Sequence, residues 1–316
     1  MNYIVQGAQN RRSYYMHVLI TGGKGQLAHE LAGIIDKGAS EIGPIDPAYA
    51  NAQVDLVDME DFDISNWEAT SAWFLSHKPY DLVINCAAMT NVDGCEAAPD
   101  AAFAANALGP QHLALAASAQ GAKLVQVSTD YVFEGVDARP RTEEDVPHPI
   151  SMYGRSKLAG EGLARALCPN TMVVRTAWLY GRVGKNFVKT MLKLADTHDS
   201  LGVVDDQLGN PTSAHDLAHA ILVIAQAGEP GVYHATCEGT CSWADFAAAI
   251  MEEFGRACTI EYISSEEYKR RVPTAAPRPA YSSLENAHLA RTVGNSMRPW
   301  RAALHAYAQS VDTREM

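Results

Sequence analysis

The stretch ISMYGRSKLAGEGLA, residues 150–164, sets Tyr153 four positions ahead of Lys157 at the head of an alanine-rich helical run. Residues four apart on a helix share a face, with side chains within about 6 Å, so a phenol and an ammonium can present their polar ends together. Free tyrosine titrates at about pH 10, too high to exchange protons readily at neutrality. A neighbouring cation favours the phenolate, which predicts a phenol lowered toward the operating pH and able to serve as an acid. The same spacing also describes two polar residues on a solvated helix face, so the context must discriminate. Thr129 closes the apolar run AKLVQVST, residues 122–129. A hydroxyl at the carboxyl end of a parallel strand, where such sheets bind ligands, can give a second hydrogen bond to a substrate oxygen.

The elements that must position these groups begin with HVLIT (17–21), a short apolar run ending at GGKGQLA. Leu27, Leu31, Ile34 and Ile35 then fall on one helical face. Gly22 permits the tight turn, Gly25 lets the backbone approach a pyrophosphate, and the small Ala28 lets helix and strand pack closely. The free N–H groups of the helix start would hold that pyrophosphate. A second strand is expected at EIGPID (41–46), ending at Asp46. An acid there either accepts hydrogen bonds from an adenosine ribose, favouring NADH, or is a plain loop aspartate before Pro47. Lys24 in the turn remains available to a phosphate, so NADH and NADPH both stay open.

DLVINCAA (81–88) and AKLVQVST are continuous apolar runs, as expected of strands buried on both faces of a parallel sheet. Between them, PDAAFAANALGPQHLALAASAQG reads as a helix bent at Pro110. TMVVRTAWLYG (171–181) and LGVVDD (201–206) read as strands, NFVKTMLKLAD (186–196) and SAHDLAHAILVIAQAG (213–228) as helices. This alternation predicts an α/β fold, a doubly wound parallel sheet of Rossmann type with right-handed crossovers. After residue 230 short strands, a helix at 243–255, a Pro-rich loop and a last helix near 298–309 predict a smaller C-terminal α/β lobe. The expected organisation is a disordered extension or tag at 1–15 and a dinucleotide-binding domain at 16–175, with 201–228 returning to it. A substrate lobe takes 176–200 and 229–316.

With 316 residues, 47% of them hydrophobic, the chain can bury a substantial core, and its net charge of −12 argues against nucleic acid or anionic lipid as a partner. No apolar run reaches the roughly 18 residues of a membrane span. Six cysteines without paired CxxC spacing predict reduced thiols in the cytoplasm and no metal site. HDLAH (215–219) has a zinc-like spacing but reads as the exposed side of a packing helix.

The glycine turn, NCAAMTNVD, STDYVF and YGRSK, in this order, resemble the extended short-chain dehydrogenase/reductases. More closely, STDYVFEG (128–135), YGRSKLAGE (153–161), RTAWLYG (175–181), NFVKTML (186–192), DQLGNPT (206–212) and RPAYSSL (278–284) resemble the dTDP-4-dehydrorhamnose reductase family, over residues of about 16 to 308. The resemblance implies an NADPH- or NADH-dependent reductase of a nucleotide-sugar substrate. It implies that Gly22, Gly25, Gln26 and Leu27 border the pyrophosphate, Asp46 the ribose, and Asp63 with Ile64 the adenine. Ala87, Ala88, Met89 and Val127 would border the nicotinamide half, together with Tyr153 and Lys157. Thr129, Tyr153 and Lys157 fall on the catalytic trio; Asp130 and Trp178 fall on substrate contacts. Arg278 is placed either on the nucleotide's pyrophosphate or on the surface, and Trp178 is otherwise a core aromatic. Asn106 matches an asparagine that shapes the middle helix. The oligomeric state stays open, a homodimer being one option. Two other readings stand beside the reductase: an epimerase or dehydratase of the same superfamily, and a non-catalytic regulatory subunit resembling the beta subunit of methionine adenosyltransferase.

Overall fold

The computed structural model describes residues 15–311, so the extension expected at 1–15 lies, apart from Tyr15, outside the described residues. Strands β1 (His17–Thr21), β2 (Gln53–Val57), β3 (Leu82–Asn85), β4 (Lys123–Thr129) and β5 (Thr171–Thr176) form one parallel sheet with a sixth strand, Gly231–His234. The order is Gly231–His234, β5, β4, β3, β1, β2, so the chain reverses direction across the sheet between β1 and β3. β1, β3 and β5 are buried at every residue, as strands with helices on both faces must be.

β2 is not where the apolar run predicted it. Residues 41–46 contribute only an isolated bridge from Ala39 to Pro44, and the strand is Gln53–Val57, in register with β1 from His17–Gln53 to Thr21–Val57. It sits at the sheet edge and is largely solvated, with Leu56 41% exposed. Its apolar residues Val54, Leu56 and Val57 are therefore broken by Asp55, a weak signal beside the continuous runs.

The lobe boundary also differs. Ser200–Val204 pairs with Thr259–Ile263 in a separate two-stranded sheet, whereas Gly231–His234, assigned to the lobe by its sequence, completes the main sheet beside β5. Ser200–Val204 is buried only at Val203 and Val204, which is why it does not behave as a central strand. The helix Ala214–Ala227 does return, packing on the first helix, Gln26–Lys37.

The middle helix deviates at the expected proline. It runs as Pro99–Phe103, then a π-turn at Ala104–Leu108, then Gly109–Gln120. Pro110 has no N–H for the Asn106 carbonyl four residues back, and Gly160 of the helix Met152–Leu167 approaches that carbonyl so closely that a Cβ at 160 would lie 2.1 Å from it. The wider turn leaves the Asn106 side chain pointing inward; single π-turns of this kind concentrate at functional sites.

Candidate active site

Two adjoining cavities lie at the carboxyl ends of the strands. The larger, about 540 Å³, is lined by Gly22, Gly25, Asp58, Asp63, Ile64, Ala87, Ala88 and Met89, among others. The smaller, about 280 Å³, is lined by Gln26, Ala88, Val127, Thr129, Asp130, Tyr153, Lys157 and Trp178, with Lys185 and others. Ala88 belongs to both walls, so the two spaces meet there.

The first cavity has the construction of a dinucleotide cradle. Gly22 takes φ 72° and lies so close to the chain after β3 that a Cβ would sit 2.8 Å from the Ala87 nitrogen. The helix Gln26–Lys37 is capped at Gly25 without any side-chain hydrogen bond and has no acid in its first turn. Its leading N–H groups and positive dipole end are thus left for an anion. The Leu27 side chain does not line the groove: it is 4% exposed and packs into the core below, leaving only its backbone N–H at the helix start. Asp46 is also displaced. Its side chain caps the short helix Pro47–Tyr49 by accepting from Ala48 N, and Asp58 stands at the end of β2 in its stead. Asp58 accepts from the backbone N–H of Lys24 and of Met59, both at 2.8 Å, while the Lys24 ammonium pairs with Glu60. Asp58, Met59 and Ser65 are groove residues that the apolar pattern missed; the acid directly after the alternating QVDLV was the available signal.

Asn106 ties this groove to the second cavity. Its side-chain oxygen accepts from Met89 N at 2.8 Å, and its amide donates to Met89 O and to Ser156 Oγ, each at 3.0 Å. One buried side chain therefore fixes the loop after β3 against the helix that carries Tyr153 and Lys157.

In the second cavity Tyr153 and Thr129 line the same wall, and Thr129 Oγ1 donates to Asp130 Oδ1 at 2.8 Å. Ser151 caps the helix Met152–Leu167 by accepting from Gly154 N at 3.1 Å, which seats Tyr153 in its first turn. Lys157 Nζ donates to the Val127 carbonyl at 2.6 Å. The expected lowering of the phenol by the ammonium is not what this packing produces. Burial raises the Tyr153 phenol, the Thr129 hydroxyl opposes that, and the Asp130 and Cys95 charges reinforce it. Burial also brings Lys157 down to about 8. The tyrosine therefore carries its proton at neutrality, as a donor must. Asp130, enclosed at 2% exposure, is raised by burial to about 6 despite the hydrogen bonds it accepts.

Arg278 is committed elsewhere. Its Nη2 donates to both carboxylate oxygens of Asp93, at 3.0 and 3.2 Å, and its Nη1 to Ala276 O. The histidines of HDLAH are turned inward, His215 to Glu30 and His219 to Ser40, and among the described residues no cluster could hold a metal ion.

Residues 16–313 match the family model of the RmlD substrate binding domain. The chain is 42% identical to the dTDP-4-dehydrorhamnose reductase of Mycobacterium tuberculosis, over 91% of this chain and 90% of the relative. The chain belongs to the dTDP-4-dehydrorhamnose reductase family. A crystal structure of such a reductase from Clostridium acetobutylicum is 43% identical, with a TM-score of 0.87 over 95% of this chain and 100% of the other. A second, from Bacillus anthracis in complex with NADP, is 34% identical, with a TM-score of 0.85 over 94% and 100%.

Proposed function

We propose that the protein reduces the 4-keto group of dTDP-4-dehydro-6-deoxy-L-mannose to give dTDP-L-rhamnose, using NADPH or NADH. The observation that carries this is the meeting at Ala88 of the glycine-turn groove and the cavity walled by Thr129, Asp130, Tyr153, Lys157 and Trp178. In the groove, Gly22, Gly25 and the helix start at Gln26 hold the pyrophosphate, Asp58 the adenosine ribose, and Asp63 with Ile64 the adenine. Ala87, Ala88, Met89 and Val127 border the nicotinamide end. A reduced nicotinamide supplies the hydride when bound. Tyr153 gives its phenolic proton to the ketone oxygen as that oxygen becomes an alkoxide, and the Thr129 hydroxyl steadies the same atom. Lys157 keeps a positive charge under the reacting groups and, through Val127, holds its helix to β4. Asp130 and Trp178 orient the sugar.

Purified protein mixed with NADPH and the keto sugar-nucleotide should consume the absorbance of the reduced nicotinamide. A folded protein that binds NADPH but leaves it unoxidised would remove the reductase reading and favour the regulatory-subunit alternative. The proposal places the protein in the cytoplasm, in keeping with its free cysteines, and makes it a homodimer through the side bearing the exposed Phe103, Leu108 and Leu115. Cell fractionation and sedimentation equilibrium test these two points.

A further inference from the structure

We propose that Trp243 is a positioning residue for the sugar site: stacked on Trp178 and opposed by Gly209, it locks the Trp178 indole as a preformed wall of the substrate cavity. The inference rests on the reductase reading above and assigns a role to residues that do not themselves line that cavity.

Trp178 follows β5 with φ 45°, in the left-handed region. A bulky residue stays there only where its surroundings over-determine it, and such strain concentrates at ligand sites. Three contacts provide that constraint. The Trp178 and Trp243 rings are stacked with centroids 3.6 Å apart and planes 8° from parallel. Gly209 is so near that a Cβ would lie 2.5 to 2.7 Å from Cε2, Cζ2 and Nε1 of the same indole. The Trp178 carbonyl accepts from Thr212 N at 3.2 Å.

Trp243 is itself fixed. It is the first residue of the lobe helix Trp243–Glu253, whose start is closed by reciprocal Ser242–Asp245 hydrogen bonds of 3.0 and 3.1 Å. Phe187 braces it, with ring centroids 4.6 Å apart. The lobe thereby sets the angle of a side chain that belongs to the sheet side of the cavity. A wall built before the sugar arrives spares the ordering cost that a mobile side chain would add on binding.

The test pairs a spectroscopic with a kinetic readout. Trp178 and Trp243 form the only Trp–Trp stack among the described residues, and two indoles in such contact couple to give an exciton couplet in circular dichroism. The wild-type protein should show the couplet, and titration with dTDP-L-rhamnose should perturb it. Trp243→Leu should abolish it and lower kcat/KM for the sugar-nucleotide by about tenfold, chiefly through KM, with NADPH affinity unchanged. Trp243→Phe, which keeps an aromatic face, should recover most of kcat/KM without the couplet. Gly209→Ala, acting on Trp178 directly, should raise KM in the same direction, and it decides the matter should Trp243→Leu fail to fold. A wild-type spectrum without the couplet overturns the proposal, as does Trp243→Leu with unaltered KM. Because the couplet and its response to dTDP-L-rhamnose need no turnover, a couplet that responds while NADPH stays unoxidised supports the wall and removes the reductase reading instead.

Discussion

Lys157 donates from Nζ to the Val127 carbonyl at 2.6 Å, joining the helix that carries Tyr153 to the strand that ends at Thr129. Burial lowers this amine from 10.5 to about 8, against the opposing pull of Glu161 and Cys86. Between those values the unfolded chain binds a proton that the folded chain has lost, so this group makes stability rise with pH across the window, and burying its charge costs about 3 kcal/mol below it. Turnover should fall above about pH 8 as the ammonium discharges. Lys157→Met should erase both that basic limb and the rise in Tm, as read from a pH–rate profile and thermal melts. A wild-type rate that stays flat well beyond that pH would contradict the assignment.

Tyr153 is held protonated by its surroundings, so in the proposed reaction it would serve as an acid without prior activation. Tyr153→Phe should lower kcat by about 10²- to 10⁴-fold, the range of a lost general acid. NADPH affinity, measured by fluorescence titration, should stay near wild type. Turnover preserved in the variant would show that the proton comes from elsewhere.

Asp130 is raised from 3.8 to about 6 by burial. A carboxyl raised on folding contributes stability below its unfolded value and loses it as pH climbs through the folded one, so the protein should lose stability between about pH 4 and 6 on this account. Asp130→Asn should flatten that slope in chemical denaturation, while KM for the sugar-nucleotide rises because the cavity loses an acceptor. An unchanged slope would mean that the carboxyl is already ionised at the lower end of the window.

Asp58 and Asp46 separate by substitution. Asp46→Ala should leave KM for NADPH and NADH untouched. Asp58→Ala should raise the cofactor KM by about tenfold, the scale of one charged hydrogen bond, and loosen the turn through its lost bonds to Lys24 and Met59. The opposite ranking would return the ribose to Asp46.

The central strands and the glycine turn could be found in the sequence because their signals are local. β1, β3 and β5 are buried at every residue and carry the apolar centres VLI, LVI and MVV; the turn needs glycine at Gly22 because Ala87 leaves no room for a Cβ. β2 escaped because an edge strand alternates, and with it Asp58 was exchanged for Asp46. The acid at position 46 has a local task of its own, capping the next helix, and a sequence does not distinguish a cap from a ligand contact.

What the sequence determined by itself was the chemistry in reach: a phenol, an ammonium and a hydroxyl at spacings that a helix and a strand end convert into one site, after a phosphate-binding turn. Tertiary structure decided the states and the partners. Burial, which depends on everything packed around a side chain, kept the Tyr153 proton on, drew the Lys157 pKa down and raised Asp130. Long-range packing gave Arg278 to Asp93 across 185 residues and brought Trp243 beneath Trp178. Such pairings have no trace in local spacing, because proximity through space is set by the fold as a whole.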